Sequence, residues 1–208
     1  MWTWFTEHYG VVSALASMAT LCVWVLYLQL FYRSYRHQLQ PKILITRGGG
    51  HGITARCMLT NMSPEIVFIQ AIVVRLTVED RVLVCSLSDI DRVSRQGRDP
   101  RSELFQGPMS SGEYLDLGSF EELAEAALQH CDGGASAGPA PTDLSVTAVG
   151  TYTWDDRMVA AERSFRVVDR NGNRILHADQ PTARQIRSRR ELKRITQILE
   201  EQSSRPNR

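Results

Sequence analysis

Residues 66–87 read IVFIQAIVVRLTVEDRVLVCSL, and this stretch decides the fold. Ile66 to Val78 is apolar and rich in β-branched residues, so it reads as a long strand or a strand carrying a bulge. Glu79-Asp80 supplies a tight connection, and Arg81 to Leu87 reads as the hairpin partner. Upstream, Lys42 to Arg47 (KILITR) alternates and runs into Gly48, Gly49 and Gly50, which predicts a first strand ended by a turn. Thr54 to Thr60 is a second strand, and Asn61, Ser63 and Pro64 supply turn chemistry before Ile66.

Downstream, Ser88 to Gly112 is polar and reads as a loop with a short strand near Glu103 to Phe105. Gly112 to Leu117 then forms another strand. Ser119-Phe120-Glu121-Glu122 has the form of a capping box and opens a helix that ends near Cys131. Gly133 to Pro141 is a flexible loop. Strands return at Leu144 to Trp154, Val159 to Val168 and Ile175 to Ala178, the last two joined through Asn171-Gly172, a hairpin signal. About eight short strands with one inserted helix make a mainly β chain best fitted by a β-sandwich over residues 42–180. From Pro181 to Gln202 the apolar period becomes helical (Ile186, Leu192, Ile195, Ile198, Leu199), so residues 181–208 are expected as an amphipathic basic helix and tail.

A different kind of segment precedes the sandwich. Val11 to Tyr32 (VVSALASMATLCVWVLYLQLFY) carries no formal charge, and at 1.5 Å per residue it covers about the 30 Å of a bilayer's hydrocarbon core. Trp2, Trp4, Phe5 and Tyr9 before it, and Tyr27, Phe31, Tyr32 and Tyr35 at its close, suit the two headgroup interfaces. The run is too long and its start too poor in cations for a cleaved signal peptide. Residues 1–10 are therefore expected outside, 11–32 across the membrane and 33–41 as a juxtamembrane linker. Arg33, Arg36, Lys42 and Arg47 follow the span while no Lys or Arg precedes it, which puts the C-terminal domain in the cytoplasm. Cys57, Cys85 and Cys131 are widely spaced and odd in number, which suits reduced thiols there, with a pairing of two of them left open.

Composition narrows the function. The 208 residues are 43% hydrophobic and 23% charged, as for one folded domain with something added. A net charge of +1 removes the case for a general nucleic-acid binder. Arginine supplies 22 of the 24 basic residues, the codon usage of a GC-rich bacterial genome, so the membrane expected is a bacterial inner membrane. The charge is segregated: residues 33–47 carry +4, residues 184–194 carry +5, and the stretch between them carries −7. Arg33, Arg36, Arg184, Arg187, Arg189, Arg190, Lys193 and Arg194 are thus the candidate membrane-surface or partner-binding residues, since cations beside an anionic leaflet attract it.

The turn Asn61-Met62-Ser63 leading into an apolar strand, with Gly112-Glu113-Tyr114-Leu115 later, resembles immunoglobulin-like β-sandwich domains. The whole plan resembles bacterial single-pass membrane proteins carrying such a domain after their anchor. The resemblance implies architecture and no activity.

Other constellations are weaker. Arg47 to Gly52 (RGGGHG) is glycine-rich like a phosphate loop but lacks the Gly-Lys-Ser/Thr ending and a following helix, so it reads as a hairpin turn. His51, Cys57, Cys85, His130 and Cys131 lack zinc-ligand spacing, so no metal and no cofactor is expected. Asp89 with Asp91, and Asp155 with Asp156, read as solvated turn pairs, and Trp154 as a residue of the sandwich rim. The reading is a membrane-anchored, non-catalytic interaction or scaffold module. Its partners are the lipid bilayer and a protein, with the sheet edges and the apolar stripe of the last helix as contact surfaces. The alternative is a membrane-tethered enzyme using the 88–112 loop.

Overall fold

The structure, a computed structural model, describes residues 9–38, 41–79, 81–87, 105–131, 140–152, 158–170 and 172–203. The chain forms two units, Met1–Gln40 and Pro41–Arg208. The first contains helix α1, Tyr9–Gln38. Its stretch Tyr9–Ser34 holds an 18-residue window of mean hydropathy 2.1 that is unburied in the chain, and is long and apolar enough to cross a membrane. Leu15, Met18, Leu21, Val23, Trp24 and Tyr27 are all exposed and spread around the helix, so it has no single stripe for a protein core. Ser17 and Thr20 donate their hydroxyls to the carbonyls of Ser13 and Ala16, each at 2.9 Å, so neither polar group is left bare in the apolar stretch. Residues 33–38, expected as linker, continue this helix because no Pro or Gly interrupts the chain until Pro41.

The second unit is mainly β. In chain order its elements are β1 (Ile43–Gly48), β2 (Arg56–Asn61), β3 (Val67–Val78), β4 (Arg81–Ser86), β5 (Gly107–Met109), β6 (Tyr114–Ser119), α2 (Phe120–Cys131), β7 (Asp143–Tyr152), β8 (Met158–Arg170), β9 (Asn173–Ala178), β10 (Arg184–Ile186) and α3 (Arg189–Ser203). A three-stranded sheet runs β1-β2-β6. A larger one runs β10-β8-β7-β3-β4, with β5 paired to β3 and β9 to β8. Every strand pairing is antiparallel, and the two sheets form a β-sandwich-like fold.

Alternation places the core. Ile43 and Ile45 of β1, Cys57 and Leu59 of β2, and Leu115 and Leu117 of β6 point inward. They meet Leu144, Val146 and Ala148 of β7 and Val159, Ala161 and Phe165 of β8. The long strand β3 does carry a bulge. Ile69 faces Gly150 and Ala71 faces Val149, leaving Gln70 as the extra residue. Val67 and Ile69 point inward before the bulge, and Ile72, Val74, Leu76 and Val78 after it, so the inward parity switches from odd to even. Gly150 is required there, since a Cβ on it would lie 2.5 Å from the Phe68 carbonyl oxygen.

The capping box forms as read. Ser119 Oγ accepts from the Glu122 N–H at 3.1 Å, and a Glu122 carboxylate oxygen accepts from the Ser119 N–H at 3.2 Å. It starts α2 so that Phe120, Leu123, Ala124 and Ala127 enter the core, with the Phe120 ring edge-on to Phe165 at 4.7 Å. The last residue of α2, Cys131, forms a disulfide with Cys85 of β4. The expectation of reduced thiols is thus corrected for this pair. Packing of α2 beside β4 brings together cysteines 46 residues apart in sequence, their Cα atoms 5.9 Å apart.

A short strand, β5, lies at Gly107–Met109, where the chain meets the start of β3; of the strand expected near Glu103 to Phe105, residues 103 and 104 lie outside the described residues and Phe105 is in a turn. A further correction concerns the end of the chain. The terminal helix begins at Arg189, not Pro181: residues 184–186 form β10 against Ala160 to Glu162, filling the open edge of β8 with ladder hydrogen bonds. Gln185 fastens this strand to the other sheet, its side chain donating to the Ile43 carbonyl at 2.6 Å and accepting from the Ile43 N–H at 3.1 Å. The apolar stripe of α3 is also not a free contact surface. Leu192, Ile195 and Leu199 cover a second cluster, Ala71, Val149, Ala160 and Ile186, on the outer face of the larger sheet.

Candidate functional site

The region with the most organised charge lies where β8, β10 and α3 meet. Glu162 sits on the outer face of β8. Its carboxylate accepts from Ser145 Oγ at 3.0 Å and from the Arg184 guanidinium at 2.7 Å. Arg184 also reaches Glu191 in the first turn of α3, at 3.2 Å to each carboxylate oxygen. Burial alone would raise the Glu162 carboxyl, but the hydrogen bonds from Arg184 and Ser145, with Arg75 nearby, outweigh it and hold the group below its ordinary value. The two carboxylates in turn raise Arg184. This arrangement locks the start of α3 onto the sheet.

The eight sequence-derived candidates therefore divide. Arg184 makes two ion pairs inside the domain while its side chain stays 45% exposed. Arg187, between β10 and α3, and Arg189, Arg190, Lys193 and Arg194 on α3 are exposed, and none takes part in an ion pair among the described residues. Arg189 and Arg190 occupy the first turn of α3 while Glu200 and Glu201 lie near its end, the reverse of what the helix dipole favours. Helix stability thus gives no reason for these cations. Arg33 and Arg36 lie on α1, in the other unit, and Arg33 is exposed.

A second cationic group lines the side of the sandwich where β1 approaches β8 and β9. Arg163 points inward and donates to the carbonyls of Ile45 at 2.6 Å and Pro181 at 3.2 Å, its guanidinium 5.3 Å from the Phe165 ring centre. Burial, and then the neighbouring Arg47, lower Arg163. Arg47 donates to the Leu176 carbonyl and meets His51 Nδ1 at 2.6 Å. These guanidinium groups satisfy carbonyls that the sheet ladders leave open, a structural use of charge.

The remaining constellations resolve in the same direction. Arg47 to Gly52 ends β1 and enters the connection to β2, with Gly49 and Gly50 at φ 77 and 133, where their lack of a Cβ is needed. The connection pairs with β9, His51 O accepting from Leu176 N–H at 2.8 Å, and no helix follows it to hold phosphate. Cys57 is fully buried and unpaired, and burial pushes its thiol up. His130 Nδ1 lies 3.0 Å from the Ala126 carbonyl. Among the described residues no group of three or more His, Cys, Asp or Glu could hold a metal ion. Of the 88–112 loop, residues 88–104, including Asp89 and Asp91, lie outside the described residues, as do Trp154, Asp155 and Asp156. Phe105 is buried and β5 is committed to β3.

Sequence reasoning missed the junction at Asn61. Its side chain donates to the carbonyls of Glu65 at 2.8 Å and Met109 at 2.9 Å and accepts from the Ser63 N–H at 2.9 Å. Its backbone exchanges bonds with Gly112 and Glu113. The two short motifs behind the immunoglobulin-like resemblance therefore touch each other, at the crossover between sheets. No protein-family model, curated protein or solved structure matches this chain.

Proposed function

We propose that the protein is a single-pass membrane-anchored interaction or scaffold module, its sandwich of immunoglobulin-like type and held in the bacterial cytoplasm. The observation that carries this is the pairing of an apolar helix that buries nothing of its own with a unit that holds both buried clusters, from Ile43 to Leu199. A helix apolar all round finds its solvent in lipid. Asn61, Ser145, Glu162, Arg163 and Gln185 all bond within the fold. The exposed cations of α3 and those after the span are the contacts offered to an anionic leaflet or a protein partner.

The cytoplasmic placement rests on Arg33, Arg36, Lys42 and Arg47 after the span against none before it. The Cys85–Cys131 bridge weighs the other way, because disulfides persist in oxidising compartments. The cations decide in this account because they act at insertion, before the domain folds. Cys131 is exposed, so the bridge is open to attack by cytoplasmic thiols. The test is membrane fractionation with crosslinking. The full chain should stay in the membrane pellet through an alkaline wash, and a partner protein should be captured on it reproducibly. Release by the wash would end the anchor reading, and a membrane-bound chain that crosslinks to no protein would end the scaffold reading.

A further inference from the structure

We propose that the end of the sandwich at which the chain enters, around Pro41, docks on an anionic bilayer surface. Its apolar side chains would enter the headgroup region and its cations would meet lipid phosphates. This rests on the anchored-module reading and names the partner of a surface that the reading leaves open.

The strand registers define the end. Ile43 lies opposite Asn61, Thr60 opposite Tyr114, and Val67 opposite both Met109 and Tyr152, so these residues share one edge of the sandwich. Outside α1, the described residues include six exposed large apolar side chains. Four belong to this end: Met62, Ile66, Phe68 and Tyr114, exposed by 52%, 47%, 41% and 66%. The other two, Val82 opposite Thr77 and Val168 opposite Ile175, lie at the far end. Isolated exposed apolar residues mean little, but a concentration at one end marks a contact. Aromatic rings such as Phe68 and Tyr114 suit the membrane interface.

The loop presenting Met62 and Ile66 is fixed. Met62 N–H donates to the Lys42 carbonyl at 2.8 Å, Lys42 N–H to Ser63 Oγ at 3.0 Å, and Asn61 holds the Glu65 carbonyl. These side chains are therefore held outward by a bonded backbone.

Among the described residues at the same end, cations outnumber acidic groups. Lys42 is exposed beside Met62, and Arg187 follows Ile186, whose neighbour Gln185 is bonded to Ile43. On α3, Thr196 lies 3.5 Å from the sulfur of Met158, which opens β8 at this end. Lys193 and Arg189 precede Thr196 by three and seven residues, on that same flank. Of the acidic residues described here, Glu65 is partly buried and Glu113 accepts from the Ser110 N–H at 2.7 Å. An apolar tip rimmed by cations complements an anionic lipid surface better than it complements water. In sequence, Pro41 at this end is the first residue of the unit, following the segment that holds the helix long and apolar enough to cross a membrane.

The test uses residues 41–208, which hold both buried clusters, with vesicles of phosphatidylglycerol and phosphatidylcholine or of phosphatidylcholine alone. The parent should sediment with the anionic vesicles at 0.01 M salt, where the screening length is about 30 Å, and less at physiological strength, where it is about 8 Å. Ile66→Ser with Phe68→Ser, and separately Arg187→Gln with Arg189→Gln and Lys193→Gln, should each lower partitioning about tenfold. Val82→Ser with Val168→Ser at the far end should leave it unchanged. Circular dichroism and the melting temperature of each variant verify that it is folded. The proposal is overturned if the parent ignores anionic vesicles, if the apolar pair has no effect, or if the far-end pair weakens binding equally. If the isolated domain ignores vesicles while the full chain still leaves membranes only in detergent, the anchor stands and the docking surface falls.

Discussion

Replacing Cys131 with Ser removes the covalent link between the last turn of α2 and β4 while leaving the buried cluster intact, because Cys131 is exposed and Phe120, Leu123, Ala124 and Ala127 make the helix's core contacts. The size of the effect follows from the loop that the bridge closes. With cysteines 46 residues apart, the chain-entropy account of cross-linking gives about 4 kcal/mol at 25 °C. For a unit of this size each kcal/mol shifts the melting temperature by roughly 2–4 °C, so the expected loss is about 8–16 °C. The assay is thermal and urea denaturation of residues 41–208 in three forms: oxidised parent, parent with excess dithiothreitol, and Cys131→Ser. The reduced parent and the variant should agree with each other and fall below the oxidised parent, with circular dichroism unchanged at low temperature. Equal midpoints for all three forms would refute the reasoning, since they would mean that the bridge closes no loop of consequence in the unfolded chain.

Two other changes probe the sheet and the clamp on α3. Gly150→Ala should destabilise the domain by about 1–3 kcal/mol in urea denaturation, because its Cβ would meet the Phe68 carbonyl oxygen at 2.5 Å beside the bulge. A neutral Gly150→Ala would mean that β3 and β7 are spaced differently there. Glu162 is held below its ordinary value, so its contribution is complete above the unfolded pKa and is lost as pH falls through the lower folded one. Unfolding midpoints of the parent should therefore drop on the acid side of the ordinary glutamate range, about 4.3. Glu162→Gln should flatten that limb; parallel profiles for the two proteins would show that Glu162 does not titrate against Arg184.

What was readable in the sequence was local. The β3 bulge, the capping box at Ser119 and the two-residue hairpin that pairs Arg170 with Asn173 each have a signal within a few residues, and each forms. In the last, Gly172 has φ 80 and its N–H donates to Asp169 Oδ1 at 2.9 Å. What was missed depends on distant partners. β10 has no strand signal in three residues; it forms because β8 has an open edge and Gln185 can reach Ile43. The disulfide joins two elements whose adjacency is a property of the sandwich, and spacing alone could not select Cys85 and Cys131 from three cysteines. The candidate site shows the same division. Its cations were legible as charge, but only the fold shows that Arg184 pairs with Glu162 and Glu191 while its neighbours on α3 face solvent.

The most direct test of a membrane-anchored sandwich held in the cytoplasm is a pair of reporter fusions placed after Arg208 in a bacterial host. One reporter should be active only in the cytoplasm and the other only beyond the membrane. The four cations that follow the span, with none before it, predict activity from the cytoplasmic reporter alone. Activity from the other reporter alone would contradict the account, placing the domain and its Cys85–Cys131 bridge together in an oxidising compartment.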